Sequence, residues 1–289
     1  PGKSCRNSIL LPGLMIQNQI KGREVVRETD DYVWLRIGAG ENWHELVQYC
    51  IDQDWGGIEN LSLIPGNVGA APIQNIGAYG VELTDVFDSL EAMSLETGVI
   101  QTFSHADCDF GYRDSFFKRR GKGRYAITRV TLRLEKPPHQ LELSYGAIAK
   151  EMAEKGLEPS IRSVSEVVCA IRRSKLPDPA EVGNAGSFFK NPVISVDHLR
   201  ALQADHPDMP HYPQPDGRAK VPAAWLIQTA GWKGKSFGSY GVHPRQALVL
   251  VHYGGASGQQ IYDLSEEILQ SVGQQFDIWL EREVNIIDV

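Results

Sequence analysis

Ser187 lies in a run of small and aromatic residues that could place a hydroxyl group in a reaction site. The run is GNAGSFFKNP at 183–192, in which the small residues before Ser187 favour a tight turn that projects its side chain. Phe188 and Phe189, which follow it, can shield a site from water. A serine is a poor acid in isolation, so proton transfer would require close positioning over the accepting carbon. Taken alone, such a turn is more often a structural feature.

Arg113 and Glu283 are two further side chains that could serve a reaction in which negative charge develops. Arg113 occurs in FGYRDS at 110–115, and its planar guanidinium group can hold a carboxylate through two parallel hydrogen bonds. An arginine beside an acid such as Asp114 more commonly forms a surface ion pair. Glu283 lies in WLEREV at 279–284, where an ordinary solvated strand face explains it equally well.

Arg172 and Lys175 form a local pair of cations in a chain that is acidic as a whole. The formal net charge is −7, so an anionic ligand would have to be met by such a cluster. The two residues lie one turn apart near a predicted helix end, with Lys190 nearby in sequence. Basic residues in the last turn of a helix can instead complement the helix dipole, which is worth about 0.3–1 kcal/mol each. The residues alone leave both interpretations open.

Residues 60–81, NLSLIPGNVGAAPIQNIGAYGV, form a long uncharged segment. Its length would suit a membrane helix, but its prolines, glycines and amides argue against one. The segment therefore predicts a buried loop whose backbone N–H and C=O groups need partners, and its small residues would let a flat polar ligand approach the main chain. A glycine-rich hinge packed under a sheet is the alternative.

The hydrophobic patterns predict helices and strands in both halves of the chain. Period-two alternation and β-branched runs indicate strands, and apolar stripes after capping residues indicate helices. The interruption KPPH at 136–139 predicts a boundary between domains 1–138 and 139–289. The predicted strands are 33–37, 86–95, 99–103, 130–134, 247–251 and 278–286. The predicted helices begin at Asn42, at a capping box of Ser163 and Glu166, at Ser195, at Pro222 and near Ile261.

Composition favours a soluble enzyme. The chain has 289 residues, of which 42% are hydrophobic and 22% charged, enough for two domains. Its acidity gives no attraction to nucleic acid or to an anionic membrane. We expect no metal site, because the eight histidines lack paired-ligand spacing. We expect a cytoplasmic protein, because no charged leader precedes an apolar run and the four cysteines form no C-x-x-C motif. Those cysteines are Cys5, Cys50, Cys108 and Cys169.

Five separated motifs resemble those of the UDP-N-acetylenolpyruvoylglucosamine reductase family, in the family's order. The likeness runs from about Gly22 to the last residue and is greatest to the type I branch, which carries an extra tyrosine-bearing loop. Five motifs in the right order make the resemblance highly specific. The motifs are IPGNVGAAPIQNIGAYGVE at 64–82, FGYRDS at 110–115, RRSKLPDP at 172–179, GNAGSFFKNP at 183–192 and WLEREV at 279–284.

The resemblance implies an α+β flavoprotein of peptidoglycan precursor synthesis. Its fold would be an FAD-binding domain of the vanillyl-alcohol-oxidase (PCMH) type, followed by a C-terminal α+β substrate-binding domain whose last strand packs back toward the flavin. FAD would be bound non-covalently, and NADPH would be the hydride donor. The implied substrate is UDP-N-acetylglucosamine enolpyruvate, and the product is UDP-N-acetylmuramate. We expect a monomer without nucleic-acid or membrane partners.

The resemblance also implies roles for residues of this chain. Ser187 would be the proton donor, and Arg113 and Glu283 would polarise the enolpyruvyl carboxylate and stabilise the enol. Tyr145 would lie on the loop that closes over the nucleotide, and Lys175 would contact the diphosphate. The further substrate-binding candidates are Arg172, Asn191, Gln246, Tyr79, Tyr212 and Lys220. Flavin contacts would come mainly from main-chain groups of Pro65, Gly66, Asn67, Gly69, Ala70, Ala71, Gln74, Asn75, Gly77, Ala78 and Gly80, with residues 38–42 nearby.

The first residues depart from the family pattern. A family member would have a strand and a phosphate-binding turn where this chain has PGKSCRNSILLPG at 1–13, so we expect part of the FAD-binding segment to be missing or altered. Two alternatives therefore stay open. One is a related flavin-dependent oxidase, although the uncharged loop has no His or Cys to hold flavin covalently. The other is a truncated protein that binds UDP-sugars without flavin.

Overall fold

The described chain forms two compact units that both mix helices and strands. The structure is a computed structural model, and it describes residues 16–145 and 147–287. One unit ends at Arg172 and the other begins at Arg173. The mixed content agrees with the predicted α+β class. The predicted alteration of residues 1–13 lies outside the described residues.

The first unit is built on a five-stranded antiparallel sheet in the order β1–β2–β7–β5–β6. It contains the hairpin predicted for 86–95 and 99–103, and the strands predicted for 33–37 and 130–134. Its strands are β1 (Arg23–Glu28), β2 (Tyr32–Gly38), β5 (Phe87–Ser94), β6 (Ile100–Ser104) and β7 (Tyr125–Glu135). A two-stranded ribbon, β3 (Gly77–Ala78) with β4 (Val81–Glu82), precedes β5.

The core of this unit lies on one face of the sheet. Val33 and Leu35 of β2 are fully buried and pair with the buried Leu134 and Leu132 of β7. Helix α1 (Trp43–Asp52) packs its predicted apolar stripe into the same core. Its cap is the predicted one, since Asn42 accepts a hydrogen bond from the Glu45 N–H at 3.1 Å. A short helix, α2 (His105–Cys108), follows β6.

Helices α3 (Ala147–Lys155) and α4 (Ile161–Lys175) follow the predicted domain boundary. The residues of α4 up to Arg172 belong to the first unit, because polar contacts tie α4 to α1 and to the uncharged loop. Ser165 Oγ lies 2.7 Å from Ser62 Oγ and accepts a hydrogen bond from Gln48 at 3.1 Å. Arg162 pairs with Asp52 at 2.8 Å. The units therefore divide between Arg172 and Arg173, later than the predicted division at 138/139.

Helix α4 begins earlier than the capping box at Ser163 predicts. Ser163 is buried inside the helix. The reciprocal hydrogen bonds instead join Ser160 and Ser163, with distances of 3.1 Å from the Ser163 N–H to Ser160 Oγ and 2.9 Å from the Ser160 N–H to Ser163 Oγ. The predicted cap was wrong by one turn: Ser163 with Glu166 matches the capping-box pattern, but Ser160, three residues earlier, is also a favourable N-cap residue and takes that place.

Among its described residues, the second unit contains two small sheets and three complete helices. One sheet has the order β12–β13–β8, and the other has the order β10–β11–β9. Helices α5 and α7 begin at serine caps, Ser195 and Ser257, and Pro222 precedes α6. The strands are β8 (Gly183–Ser187), β9 (Val193–Ile194), β10 (Tyr212–Pro213), β11 (Ala219–Lys220), β12 (Tyr240–Val242) and β13 (Val249–His252). The helices are α5 (Val196–Asp205), α6 (Ala223–Thr229) and α7 (Gly258–Phe276).

The predicted last strand is only partly formed. Residues 278–287 form no regular strand, and a single isolated bridge joins Arg282 to Phe189. Backbone hydrogen bonds run from Lys190 N–H to the Glu281 carbonyl at 2.8 Å and from Glu283 N–H to the Phe188 carbonyl at 2.9 Å. The alternation of apolar and polar residues at 278–286 therefore marks an extended segment. This segment pairs with the end of β8 over too few residues to form a regular strand.

Candidate active site

The uncharged segment is a compact loop fixed to the sheet from one side. One 3₁₀ turn, Glu59–Leu61, overlaps its start, and a second, Val68–Gln74, lies within it. Val68 N–H and Gly69 N–H each donate 2.9 Å hydrogen bonds, to the carbonyls of Glu41 and Ala39. A Cβ on Gly69 would lie 2.6 Å from the Cβ of Ala39, so this glycine is required by packing within the protein. Some main-chain N–H groups of the predicted flavin-binding loop therefore already have hydrogen-bond partners within the protein.

The other side of the loop is small, uncharged and exposed. Pro65, Ala70 and Ile73 are exposed, and Gly66 has φ +116° with no atom within 4 Å of a Cβ built on it. Such a surface fits a flat aromatic ring, because neither charge nor bulk opposes its approach. The residues present therefore suit the predicted flavin. Among the predicted contacts, Ala71 and Asn75 are buried, whereas Asn67, Gln74, Ala78 and Gly80 are at least partly accessible.

His44 supports the loop in a way that the sequence analysis did not predict. Leu63 has φ +60°, a left-handed conformation that is strained for a leucine. Its N–H donates a 3.0 Å hydrogen bond to Nδ1 of His44. The histidine must be neutral at Nδ1 to accept this bond. The sequence carries no local signal for a left-handed leucine.

Arg113 lies on a tight turn beside the loop. Its φ is +54°, and its neighbours Gly111 and Asp114 exchange backbone hydrogen bonds of 3.0 and 3.1 Å. The guanidinium group donates from Nη2 to the Gly77 carbonyl in a short hydrogen bond. The arginine therefore reaches the uncharged loop, and its side chain is only 17% exposed.

Three predicted substrate residues of the first unit come together. The rings of Tyr79 and Tyr145 meet edge to face, with centroids 5.5 Å apart. Arg172 lies near Tyr79, and burial lowers the pKa of the Arg172 guanidinium while it raises the pKa of the Tyr79 hydroxyl. Within the described residues, Nε of Arg172 is buried without a hydrogen-bond partner. A buried cation with an unsatisfied donor is suited to an anionic ligand.

In the second unit, Ser187, Gln246 and Glu283 come from different segments to one sheet. Ser187 ends β8 and pairs with Val249. The Gln246 carbonyl accepts from Val249 N–H at 3.1 Å, and Glu283 N–H bonds the residue after Ser187. The predicted tight turn before Ser187 is a strand with an irregular register, in which Gly186 has φ +74°. Ser187 is exposed.

The remaining predicted substrate residues of this unit lie on the other small sheet, just before it or at the end of α4. Tyr212 and Lys220 are directly opposite each other in the β10–β11 pair. Asn191 Oδ1 accepts a 2.9 Å hydrogen bond from the Ala223 N–H, so that oxygen helps to start α6. Lys175 is exposed in the last residue of α4. Lys190 is engaged in a close ion pair with Glu281.

The described residues contain neither a metal-binding cluster nor a membrane-spanning helix. Among residues 16–145 and 147–287, no group of three or more His, Cys, Asp or Glu side chains could hold a metal ion. No helix in these ranges is long and apolar enough to cross a membrane.

Family models match both parts of the chain. Residues 4–104 match a model described as FAD binding domain. Residues 178–287 match the C-terminal domain of UDP-N-acetylenolpyruvoylglucosamine reductase. The two matches lie in the order predicted for the FAD-binding and substrate-binding domains.

Curated relatives are similar over nearly the whole chain. UDP-N-acetylenolpyruvoylglucosamine reductase of Flavobacterium johnsoniae is 49% identical over 278 residues, which cover 96% of this chain and 82% of the relative. The reductase of Amoebophilus asiaticus is 52% identical over 276 residues, covering 95% and 81%. That of Burkholderia multivorans is 52% identical over 274 residues, covering 94% and 78%. The chain belongs to the UDP-N-acetylenolpyruvoylglucosamine reductase family.

A solved structure of this family shares the fold. The crystal structure of the reductase from Thermus caldophilus matches with a TM-score of 0.58 at 24% identity, covering 86% of this chain and 71% of that chain. The FAD-binding and reductase domain matches confirm the predicted fold class. The curated relatives confirm the family inferred from the five motifs.

Proposed function

We propose that this chain reduces UDP-N-acetylglucosamine enolpyruvate to UDP-N-acetylmuramate with NADPH, in the synthesis of the peptidoglycan precursor. The observation that carries the proposal is identity of about half the residues to reductases of that name over 96% of the chain. The cofactor is FAD, in keeping with the FAD binding domain match. FAD, when bound, relays the hydride of NADPH to the methylene carbon of the alkene.

Ser187 is the proton donor of this proposal. Hydride addition at the methylene carbon leaves negative charge on the carbon that bears the ether oxygen and on its carboxylate, and that carbon must then gain a proton. Ser187 is exposed at the end of β8, so its hydroxyl is accessible to a ligand on its own unit. A serine acts here through position, because its unperturbed hydroxyl is a weak acid.

Arg113 and Glu283 would stabilise the charge that develops on the carboxylate. The guanidinium group offers charge-assisted hydrogen bonds that strengthen as the enolate forms, which favours the transition state over the ground state. Glu283 is partly accessible beside the Ser187 strand, and its backbone is fixed by the bond to Phe188. Both residues thus act on the carboxylate, while Ser187 acts on carbon.

The remaining predicted residues are the candidates for holding the nucleotide, and each is considered on its own unit. Arg172 and Lys175 are the cations for the diphosphate, and Tyr145 and Tyr79 offer aromatic surface. Gln246, Asn191, Tyr212 and Lys220 are the remaining candidates for the sugar and the uracil. A monomer in the cytoplasm remains a prediction from the sequence.

The deciding experiment follows the flavin and the product in turn. The visible spectrum of the purified protein, after reconstitution with FAD, should show an oxidised flavin band that NADPH bleaches without oxygen. Adding UDP-N-acetylglucosamine enolpyruvate should restore the band and yield a product heavier by two hydrogens. Oxygen consumption with an alcohol substrate would indicate a flavin oxidase instead. UDP-sugar binding without flavin or NADPH oxidation would indicate a binding protein.

A further inference from the structure

The backbone of Arg113 is fixed by contacts of its own unit before any ligand binds. The residue adopts the left-handed conformation, with φ +54°, that is uncommon for a residue with a side chain. Besides the hydrogen bonds that close the turn around it, Lys118 Nζ donates a 3.0 Å hydrogen bond to the Arg113 carbonyl. Non-glycine residues in this region often lie at functional sites, where surrounding contacts hold them.

The guanidinium group is held on a glycine of the flavin loop. In addition to the short bond to the Gly77 carbonyl, Nη1 lies 3.5 Å from the carbonyl of Asn75. A Cβ on Gly77 would come within 2.5 Å of Nη1 and 2.9 Å of Cγ of Glu82. Gly77 does not have a positive φ. A Cβ at this position would therefore displace the guanidinium group and Glu82 from their present places, whereas the backbone conformation of Gly77 does not itself call for glycine.

Glu82 supplies the negative partner of the arginine. It lies directly opposite Gly77 in the β3–β4 ribbon, and its Oε1 is 3.6 Å from Nη1 of Arg113. The other carboxylate oxygen accepts a 2.8 Å hydrogen bond from Nδ2 of Asn75. One carboxylate therefore contacts both the arginine and the loop that carries Asn75.

Asn75 locks this carboxylate in place. It is 1% exposed, so its side-chain amide is enclosed within the protein. Besides Glu82, its Nδ2 donates to the Gly111 carbonyl at 3.1 Å, and its Oδ1 accepts from the Thr84 N–H at 3.0 Å. The amide thus joins the flavin loop, the β4 segment and the turn that carries Arg113.

We propose that Glu82, locked by Asn75, is a positioning residue that aims the guanidinium group of Arg113 at the substrate carboxylate. The inference rests on the proposed function, in which Arg113 binds that carboxylate. Long arginine side chains have many rotamers, and a fixed anion removes the freedom that would otherwise be lost on substrate binding. Glu82 itself would touch neither the substrate nor the cofactor.

The test separates the two half-reactions of variants Glu82→Ala and Glu82→Gln. Stopped-flow absorbance should show flavin reduction by NADPH within about twofold of wild type for both variants, because no hydride passes through Arg113. Reoxidation by the enolpyruvyl substrate should slow about 10- to 100-fold in Glu82→Ala, the scale expected for a misplaced catalytic group. Glu82→Gln keeps the shape of the side chain, so its reoxidation rate should lie between those of wild type and Glu82→Ala. It provides the test if the alanine variant fails to fold.

A double-mutant cycle shows whether the effect passes through the arginine. In an Arg113→Ala background, Glu82→Ala should cause little further loss, because a positioning residue has nothing left to position. In flavin-free protein, Glu82→Ala should also raise the rate at which phenylglyoxal modifies Arg113, measured by peptide mass spectrometry. Additive losses in the cycle, or an unchanged modification rate, would overturn the proposal.

The matched control is Glu24→Gln, which removes the same charge from another arginine–glutamate pair of the first unit. Glu24 pairs with Arg36 at 2.7 Å. If both Glu82 variants behave like this control in the substrate half-reaction, Glu82 does not position Arg113. If Arg113→Ala itself leaves that half-reaction unchanged, the role given to Arg113 under the proposed function fails, whatever Glu82 does.

Discussion

The two principal catalytic candidates lie in surroundings of opposite kinds. Arg113 is mostly enclosed, and hydrogen bonds fix both its turn and its guanidinium group. Ser187 is exposed at the end of β8, beside a glycine with open space around it. In the proposed function the arginine stabilises charge, which requires a fixed orientation, whereas the serine needs only access and closeness to one carbon. A change at Ser187 should therefore affect chemistry alone, and a change around Arg113 should affect chemistry and stability together.

The largest expected effect is that of Ser187→Ala. We expect reduction of the enolpyruvyl substrate to slow about 100- to 10,000-fold, the usual contribution of a general acid. Flavin reduction by NADPH should remain near normal, and the free energy of unfolding should change by less than about 0.5 kcal/mol, as for other exposed positions. Single-turnover kinetics and urea unfolding measure these quantities.

The control for Ser187→Ala is Ser236→Ala, another exposed serine of the same unit. It should alter neither half-reaction. If flavin reduction by NADPH slows as much as substrate reduction in Ser187→Ala, the serine is not the proton donor.

A smaller but broader effect is expected for Gly77→Ala. The added Cβ would lie 2.5 Å from Nη1 of Arg113. Overpacking of this kind costs about 1–3 kcal/mol of unfolding free energy, and the displaced guanidinium should also slow substrate reduction. Stability and substrate kinetics should therefore fall together, unlike in Ser187→Ala.

Gly111→Ala is the matched control within the turn that precedes Arg113. Its Cβ would lie 3.7 Å from the Cβ of Asp114, an ordinary contact. If Gly77→Ala and Gly111→Ala have the same unfolding free energy and substrate kinetics, the guanidinium group of Arg113 is not tightly enclosed at Gly77.

The sequence predicted what depends on local pattern. The α1 stripe, the β5–β6 hairpin and the caps at Asn42 and Ser195 are confirmed, because each follows from residues within a few positions of one another. The capping box at Ser163 was wrong by one turn, since Ser160 is also a favourable N-cap residue and the local pattern does not show which serine precedes the helix. The position of α4 in the first unit depends on Ser165 meeting Ser62, a pairing of residues distant in sequence that no local pattern contains.

In the candidate site, too, local sequence patterns do not show which distant residues meet. Motifs identified the loop, Arg113 and Ser187, because glycine-rich runs and isolated polar residues are visible in sequence. Glu82 ends the first motif, but the sequence assigned it no role. Its partner Arg113 is 31 positions away, and only folding brings the two together. The left-handed Leu63 and its acceptor His44 were missed for the same reason. Local sequence thus indicates which groups could act, and the fold shows which groups support them.

His44→Ala tests whether the rigidity around Arg113 extends to the other end of the loop. Loss of the acceptor for the Leu63 N–H should destabilise the protein by about 1 kcal/mol. It should also weaken FAD binding, because the strained leucine lies two residues before the exposed Pro65. His44→Asn, whose side-chain oxygen can replace Nδ1, should recover most of both losses. Urea unfolding and FAD titration of the flavin-free protein measure them, and equal values for the two variants would contradict the support role.

The smallest effect concerns Glu59, a buried carboxyl group in the first 3₁₀ turn of the loop region. It is 3% exposed, and burial raises its pKa, although the Gly57 N–H donates a 2.7 Å hydrogen bond to it. A raised pKa in the folded state means that this group favours folding at low pH. That contribution is lost as pH rises above the unfolded pKa, about 4.3 for glutamate, and through the higher folded pKa.

Glu59→Gln should therefore gain stability over wild type as pH rises from 4 to 8, because glutamine keeps an oxygen for the Gly57 bond and carries no charge. The difference in urea unfolding free energy should shrink toward low pH. Glu45→Gln on α1 serves as the control for loss of an exposed carboxylate. A Glu59→Gln difference independent of pH would mean that water or a nearby cation already compensates the buried charge, and the enclosed character of this region would then be weaker than at Arg113.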